Sequence, residues 1–251
     1  QAVVFGAKTV MLGDADVVVA GGMESMSNVP YYLRDARTGY RMGDGKLIDG
    51  MIADGLWDPY GNFHMGEAGE KCSKEYSLSR EAQDEFARES YRRALSAQKE
   101  GLFEAEIAAV EIAQKKGDPL KVSADEEPGK GDPSKFDKLR PAFAKDGTIT
   151  AANASSINDG ASALVLASEK AVKEQNLTPI ARIVGYGGAA QAPDWFTTAP
   201  SKAIDATLTK LGMKKEQIDL WEINEAFSCV TMACSKISGL DPAKVNVRGG
   251  A

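Results

Sequence analysis

The sequence predicts an α/β protein. Three observations lead there: short β-branched runs closed by glycine, stretches of helical period between them, and a globular composition throughout. Of 251 residues, 43% are hydrophobic and 26% charged, which excludes fibrous, collagenous and disordered classes. A formal charge of −6 and a pI near 5.1 give no global basic field, so neither nucleic acid nor an anionic membrane is an expected partner. Any anionic ligand must then be met by a local patch. No apolar run approaches the ~20 residues that cross a bilayer, and mean hydropathy is −0.29.

The elements follow in order. Val3, Val4, Ala7, Val10 and Met11 form a helical stripe over 1–12 that Gly13 ends. Residues 16–22 are β-branched and closed by glycines, the pattern of a strand buried on both faces of a parallel sheet. From 28 to about 62 no period is sustained, which suits an insertion or lid. Ser79 caps a helix whose Ala82, Phe86, Ala87, Tyr91, Ala94 and Leu95 share a face, and Gly101 ends it. Residues 115–141 read as loop. A second buried strand spans 161–167, and Ser168 caps a short helix to Asn176. Beyond Pro179 the pattern predicts strands at 181–184, 218–223 and 245–247. A helix over 201–211 and another carrying Phe227, Val230, Cys234 and Ile237 lie between them. This alternation implies parallel βαβ units in both halves.

Candidate functional residues carry competing readings. GYGGAA at 185–190 matches a dinucleotide-binding pattern, yet that motif needs a helix starting at its glycines, and Pro193 and Pro200 postpone any helix to Ser201. Asn224 stands where a strand hands over to a helix: it either caps the helix or offers an amide to a carbonyl or a catalytic water. The small residues of 151–160 suit either a tight loop or the close approach of a ligand. His64, the one histidine, is either structural or functional. Lys130, Lys135 and Lys138 around Ser134 form either a phosphate-binding patch or a solvated loop. Cys72, Cys229 and Cys234 lack metal or redox spacing and read as buried core thiols.

Six ordered blocks together resemble the thiolase family: GGMESMS at 21–27, HMG at 64–66, RPAF at 140–143, AANASSINDG at 151–160, NEAF at 224–227 and VNVRGGA at 245–251. Within it the likeness is greatest to acetyl-CoA acetyltransferases, which condense two acetyl-CoA to acetoacetyl-CoA and CoA or run the reverse thiolysis. The resemblance implies a five-layered αβαβα fold of two similar halves with an inserted loop domain. Residues 1–28 and 154–176 would belong to the first half, 29–153 to the loop domain covering CoA, and 177–251 to the second half. It also implies a fold truncated at both ends, with the nucleophilic cysteine upstream of Gln1 and the activating histidine and acid/base cysteine beyond Ala251. The chain alone would then be inactive.

By the same resemblance, Asn224 would be catalytic, holding the water of an oxyanion hole. Ala226 and Phe227 would line the acyl or pantetheine tunnel, His64, Met65 and Ser155 would contact pantetheine, and Lys130 and Lys135 would approach the ADP phosphates. Tyr91, Ala151, Ala152 and Ala154 match a potassium-binding pattern, with Phe196 nearby, and Arg248 replaces a common Asn. No tightly bound cofactor is implied, coenzyme A entering as part of the substrate and potassium as a candidate ion. The implied chemistry is ping-pong acyl transfer through a thiolate, in a homodimer or homotetramer of the cytoplasm or the mitochondrial matrix. The alternatives are a degradative 3-ketoacyl-CoA thiolase of broader chain length and a non-catalytic thiolase-like CoA- or lipid-binding protein. A Cys-x-Ser-Gly-like run before Gln1 would favour the enzyme.

Overall fold

The computed structural model describes residues 1–250. In chain order the elements are α1 (Ala2–Leu12), β1 (Val17–Ser25), β2 (Tyr31–Tyr32), β3 (Ile48–Asp49), β4 (Trp57–Asp58), β5 (Phe63–His64), α2 (Met65–Glu75), α3 (Arg80–Lys99), β6 (Val110–Ile112), β7 (Leu120–Val122), α4 (Glu127–Lys130), β8 (Asp159–Ala167), α5 (Glu169–Glu174), α6 (Ala199–Leu211) and α7 (Ser228–Ser238). The chain divides into two compact units, one of Gln1–Trp57, Ile157–Gly188 and Ala206–Gly212, the other of Asp58–Ser156, Ala189–Asp205 and Met213–Ala251.

In the first unit, α1 ends as its sequence requires: Gly13 takes a left-handed conformation with φ 79° and turns its N–H back onto the Val10 carbonyl. The helix lies on the strand pair β1–β8, where a side chain at Gly6 would strike Leu166 and crowd Ala20 and Val18. Ser168 caps α5 through the Ala171 N–H at 3.0 Å. The irregular character of 28–62 is observed, with only the two-residue β2–β3 ladder and isolated helical turns up to Trp57.

Two sequence expectations fail here. The strand over 16–22 and its partner over 161–167 pair antiparallel, with Val17 opposite Ala167 and Ser25 opposite Asp159, and they are not buried on both faces. Val19, Met23 and Val165 are 70%, 78% and 67% exposed, because α1 covers only one side. A continuous apolar run carries no mark of its partner's direction, so the sequence could not separate the two pairings. No strand forms over 181–184 either. The chain instead stays without a ladder, and Gly185 and Gly187 press onto Leu211 and Thr207 of α6.

Beside a smaller cluster of Ala87, Phe136 and Ala152, the second unit is built around a main apolar core. Cys72 of α2, Ile149, Phe227, and Cys229, Val230, Ala233 and Cys234 of α7 form its centre, with Ile223, Leu240 and Val245 beside them. The three cysteines are free and buried, as expected. Burial pushes the Cys234 thiol up to about 11, and the adjoining Cys72 thiol together with burial raises that of Cys229, so both stay protonated near neutrality.

The helix capped by Ser79 is α3, with the cap bond to the Ala82 N–H at 3.2 Å. Its buried face differs from the apolar stripe. Gln83, Asp84, Ala87, Ser90 and Ala97 are buried, while Ala82 and Leu95 are exposed. The polar members can turn inward because each finds a partner: Gln83 Nε2 donates to Thr148 Oγ1, Asp84 Oδ2 accepts from Arg80 Nε, and Ser90 donates to Glu225. The strands expected at 218–223 and 245–247 shrink to a single parallel bridge between Trp221 and Val245. The ladder stops because the Asn246 side chain takes over Ile223: Oδ1 accepts its N–H and Nδ2 donates to its carbonyl. Among the described residues no helix is long and apolar enough to cross a membrane.

Candidate active site

The site is assembled within the second unit from three segments far apart in sequence. The first is the start of α2. His64 is its N-cap: Nδ1 accepts the Gly66 N–H at 3.0 Å, and the His64 N–H donates to Glu67 Oε1 at 3.0 Å, a reciprocal cap. Burial holds the imidazole pKa below its usual value against the opposing pull of Glu67, so the ring is neutral near pH 7 and, with Nδ1 accepting, carries its proton on Nε2. The ring stacks on Phe143 at 4.7 Å, and Phe143 meets Phe227 edge-on at 6.1 Å. This aromatic row needs a glycine at 66, where any side chain would overlap the Phe143 ring. Met65 is half-buried beside it.

The second segment is the small-residue loop. The Glu70 carboxylate accepts the N–H groups of Thr148 and Ile149 at 2.9 Å. Asn153 is buried, accepting the Thr150 N–H at 2.8 Å through Oδ1 and donating to Asp84 Oδ1 and the Thr148 carbonyl through Nδ2. So framed, the loop meets the third segment backbone to backbone. Ser155 N–H donates to the Ala226 carbonyl at 3.0 Å, Ser228 N–H donates to the Asn153 carbonyl at 2.8 Å, and Ala154 bridges Phe227. Ser155, Ala226, Phe227 and, through Phe143, His64 are thereby brought to one place.

On the third segment Asn224 is exposed between buried Ile223 and buried Glu225. It is not a helix cap: α7 begins at Ser228 with Phe227 as its N-cap and no side-chain bond there. Among the described residues its side chain makes no hydrogen bond, so its amide is available to a ligand or water. The Glu225 carboxylate accepts from Ser90 Oγ at 2.6 Å and Asn246 Nδ2 at 2.7 Å.

A small polar pocket lies beside this turn, lined by Ser90, Tyr91, Ala152, Asn153, Ala154, Ser155, Glu225 and Ser228. It contains three of the four residues of the potassium pattern; Ala151 is exposed and Phe196 packs on the apolar core instead. Burial and the charge of Glu127 raise the Tyr91 phenol. Lys130 and Lys135 are not drawn in. Both are exposed, Lys130 ion-paired with Glu126 at 3.1 Å and Lys135 with Asp132 at 2.8 Å. Sequence reasoning gave no framing role to Ser90, Asn153, Glu225 or Asn246. The only hint was at Asn153 and Asn246, polar residues set between apolar neighbours.

Comparison with known proteins settles the family. The family model described as thiolase, N-terminal domain matches residues 1–170, and that described as thiolase, C-terminal domain matches residues 177–251. The chain belongs to the thiolase family. It is 51% identical over 251 residues to the acetyl-CoA acetyltransferase of Schizosaccharomyces pombe, covering all of this chain and 64% of that one. The Acat5 thiolase from Ascaris suum, solved in complex with coenzyme A, superposes with a TM-score of 0.94 at 45% identity, covering 100% of this chain and 64% of that one. Human mitochondrial 3-ketoacyl-CoA thiolase gives 0.94 at 39%, again over 100% and 64%. The thiolase fold is therefore shown, and the chain spans just under two thirds of the length of these relatives.

Proposed function

We propose that this chain forms the central part of an acetyl-CoA acetyltransferase, condensing two acetyl-CoA to acetoacetyl-CoA and CoA or running the reverse thiolysis. The acetyl reading is preferred over longer-chain thiolysis because the chain is 51% identical to a relative named for acetyl transfer and 39% to one named for 3-ketoacyl chains. In this reading His64, Met65 and Ser155 meet pantetheine, Ala226 and Phe227 line the tunnel, and Lys130 and Lys135 reach toward the ADP phosphates. The division into 1–28, 29–153, 154–176 and 177–251, a homodimeric or homotetrameric assembly, and a cytoplasmic or mitochondrial-matrix address belong to the same proposal.

Potassium fits the pocket by chemistry: a phenol, a carboxylate and backbone carbonyls are the hard oxygen donors such a cation takes. Tyr91, Ala152 and Ala154 would hold it, with Ala151 of the pattern outside the lining, and it would supply positive charge behind the small-residue loop.

The observation that carries the reading is Asn224, an exposed amide with no partner among the described residues, fixed between two buried residues. Such an amide can orient a water toward the oxygen of a thioester enolate. In the full-length protein, Asn224→Ala is expected to lower kcat on the order of 10²–10³-fold, with KM little changed. Because Asn224 caps nothing, stability should move by less than ~0.5 kcal/mol. A folded Asn224→Asp protein with near-normal kcat would overturn the assignment, since a carboxylate there opposes a developing enolate.

A further inference from the structure

The turn at 245–250 and the NEAF segment are held by one buried carboxylate. Glu225 is 6% exposed, and each of its oxygens accepts one hydrogen bond, from Ser90 Oγ of α3 at 2.6 Å and from Asn246 Nδ2 at 2.7 Å. Ser90 Oγ in turn accepts the Gly250 N–H at 3.1 Å. Asn246, 2% exposed and left-handed with φ 46°, spends its remaining capacity on both polar atoms of Ile223. From α3, Arg93 Nη1 donates to the carbonyls of Val245 and Asn246 at 2.7 and 3.2 Å. Both glycines of the turn serve this closure. Gly249 has φ 86°, and a side chain at Gly250 would strike the Glu225 carboxyl and crowd Asn246 Nδ2.

The consequence falls on Asn224. Ile223 before it has its N–H and carbonyl clamped by Asn246, and Glu225 after it has its side chain clamped by Ser90 and Asn246. The backbone at 224 is thereby fixed from both sides while its own side chain remains free. We propose that Glu225 is a positioning residue, aligning the Asn224 amide with the 246–250 turn by accepting one hydrogen bond from each side. This rests on the acetyl-CoA acetyltransferase reading and goes beyond it by naming the group that sets the geometry. A carboxylate suits the place because both partners donate. An amide could accept from Asn246 Nδ2 but would turn an N–H toward Ser90 Oγ, which already accepts the Gly250 N–H; the hydroxyl proton would then lose its acceptor, and a buried donor left unpaired costs stability and alignment.

The test uses the full-length protein with Glu225→Gln and Ser90→Ala, assayed by acetoacetyl-CoA thiolysis and by hydrogen exchange. Glu225→Gln should lower kcat on the order of 10–100-fold, with KM changed less than about threefold, the signature of misplacement at the reacting centre. Exchange in a peptide covering 245–250 should rise while that of α7 stays as in the parent. Ser90→Ala, which removes one of the two bonds to Glu225 and with it the acceptor of the Gly250 N–H, should shift kcat and exchange in the same direction, and the double variant should lose less than the product of the single losses. If Glu225→Gln does not fold, Ser90→Ala carries the same comparison. A parent protein without turnover would overturn the functional reading and this inference together. A working parent whose folded variants keep kcat within twofold would overturn the inference alone, as would loss of activity accompanied by faster exchange throughout α7.

Discussion

Replacing Asn153 by alanine tests whether the polar frame of the small-residue loop holds the site. The side chain is 3% exposed and makes three hydrogen bonds: from Thr150 N–H at 2.8 Å, to Asp84 Oδ1 at 2.9 Å and to the Thr148 carbonyl at 3.0 Å. Alanine leaves the N–H of fully buried Thr150 without its acceptor, at about 1–3 kcal/mol, and takes one partner from a buried carboxylate. Arg80 Nε still holds the other oxygen of Asp84 at 2.7 Å, which limits that second loss. The sum is on the order of 3 kcal/mol, or roughly 6–12 °C in Tm for a chain of this size. Urea and thermal denaturation followed by circular dichroism measure it. Asn153→Asp sharpens the test: it keeps an acceptor for Thr150 but sets a second carboxylate against Asp84, so at pH 7 it should cost at least as much as alanine and recover as the pH is lowered. An Asn153→Ala protein within ~0.5 kcal/mol of the parent would refute the account of the frame.

Two further outcomes are expected. Changing Lys130 and Lys135 together to alanine should raise the KM for acetyl-CoA by roughly threefold and flatten its salt dependence at constant kcat, because exposed ammonium groups act on a phosphate through screened charge; an unchanged KM at low salt would leave the loop as solvated surface. Glu89 is held down to about 2 by the hydrogen bonds of Arg92 and Arg93. Its folded pKa lies below the unfolded value, so its stabilisation is present above about pH 4.5 and fades as the pH falls from there toward 2. The Tm of Glu89→Gln should therefore drop less than the parent's between pH 5.5 and pH 3, by a small margin because Glu89 is half in solvent; equal slopes would remove Glu89 from the account.

What the sequence made legible follows the range over which each signal acts. Ser79, Ser168 and Gly13 close or open helices through bonds spanning three or four residues, so their effect is written locally and was read correctly. The antiparallel register of β1 on β8 joins Val17 to Ala167, and nothing in either run encodes the other's direction. The strand over 218–223 had the right residue types, but after the Trp221 bridge the polar groups of Ile223 go to the Asn246 side chain, a competitor visible only once the chain has folded. Asn224 shows the same limit from the other side. Its local context suits a helix cap as well as a free amide, and the choice is made by where α7 starts. That start is displaced to Ser228 because 226–228 are occupied by backbone pairing with Asn153, Ala154 and Ser155, some seventy residues earlier. The pairing that denies Asn224 a capping role also brings Ser155 and Ala226 together, so a single long-range contact both frees the amide and builds the wall beside it.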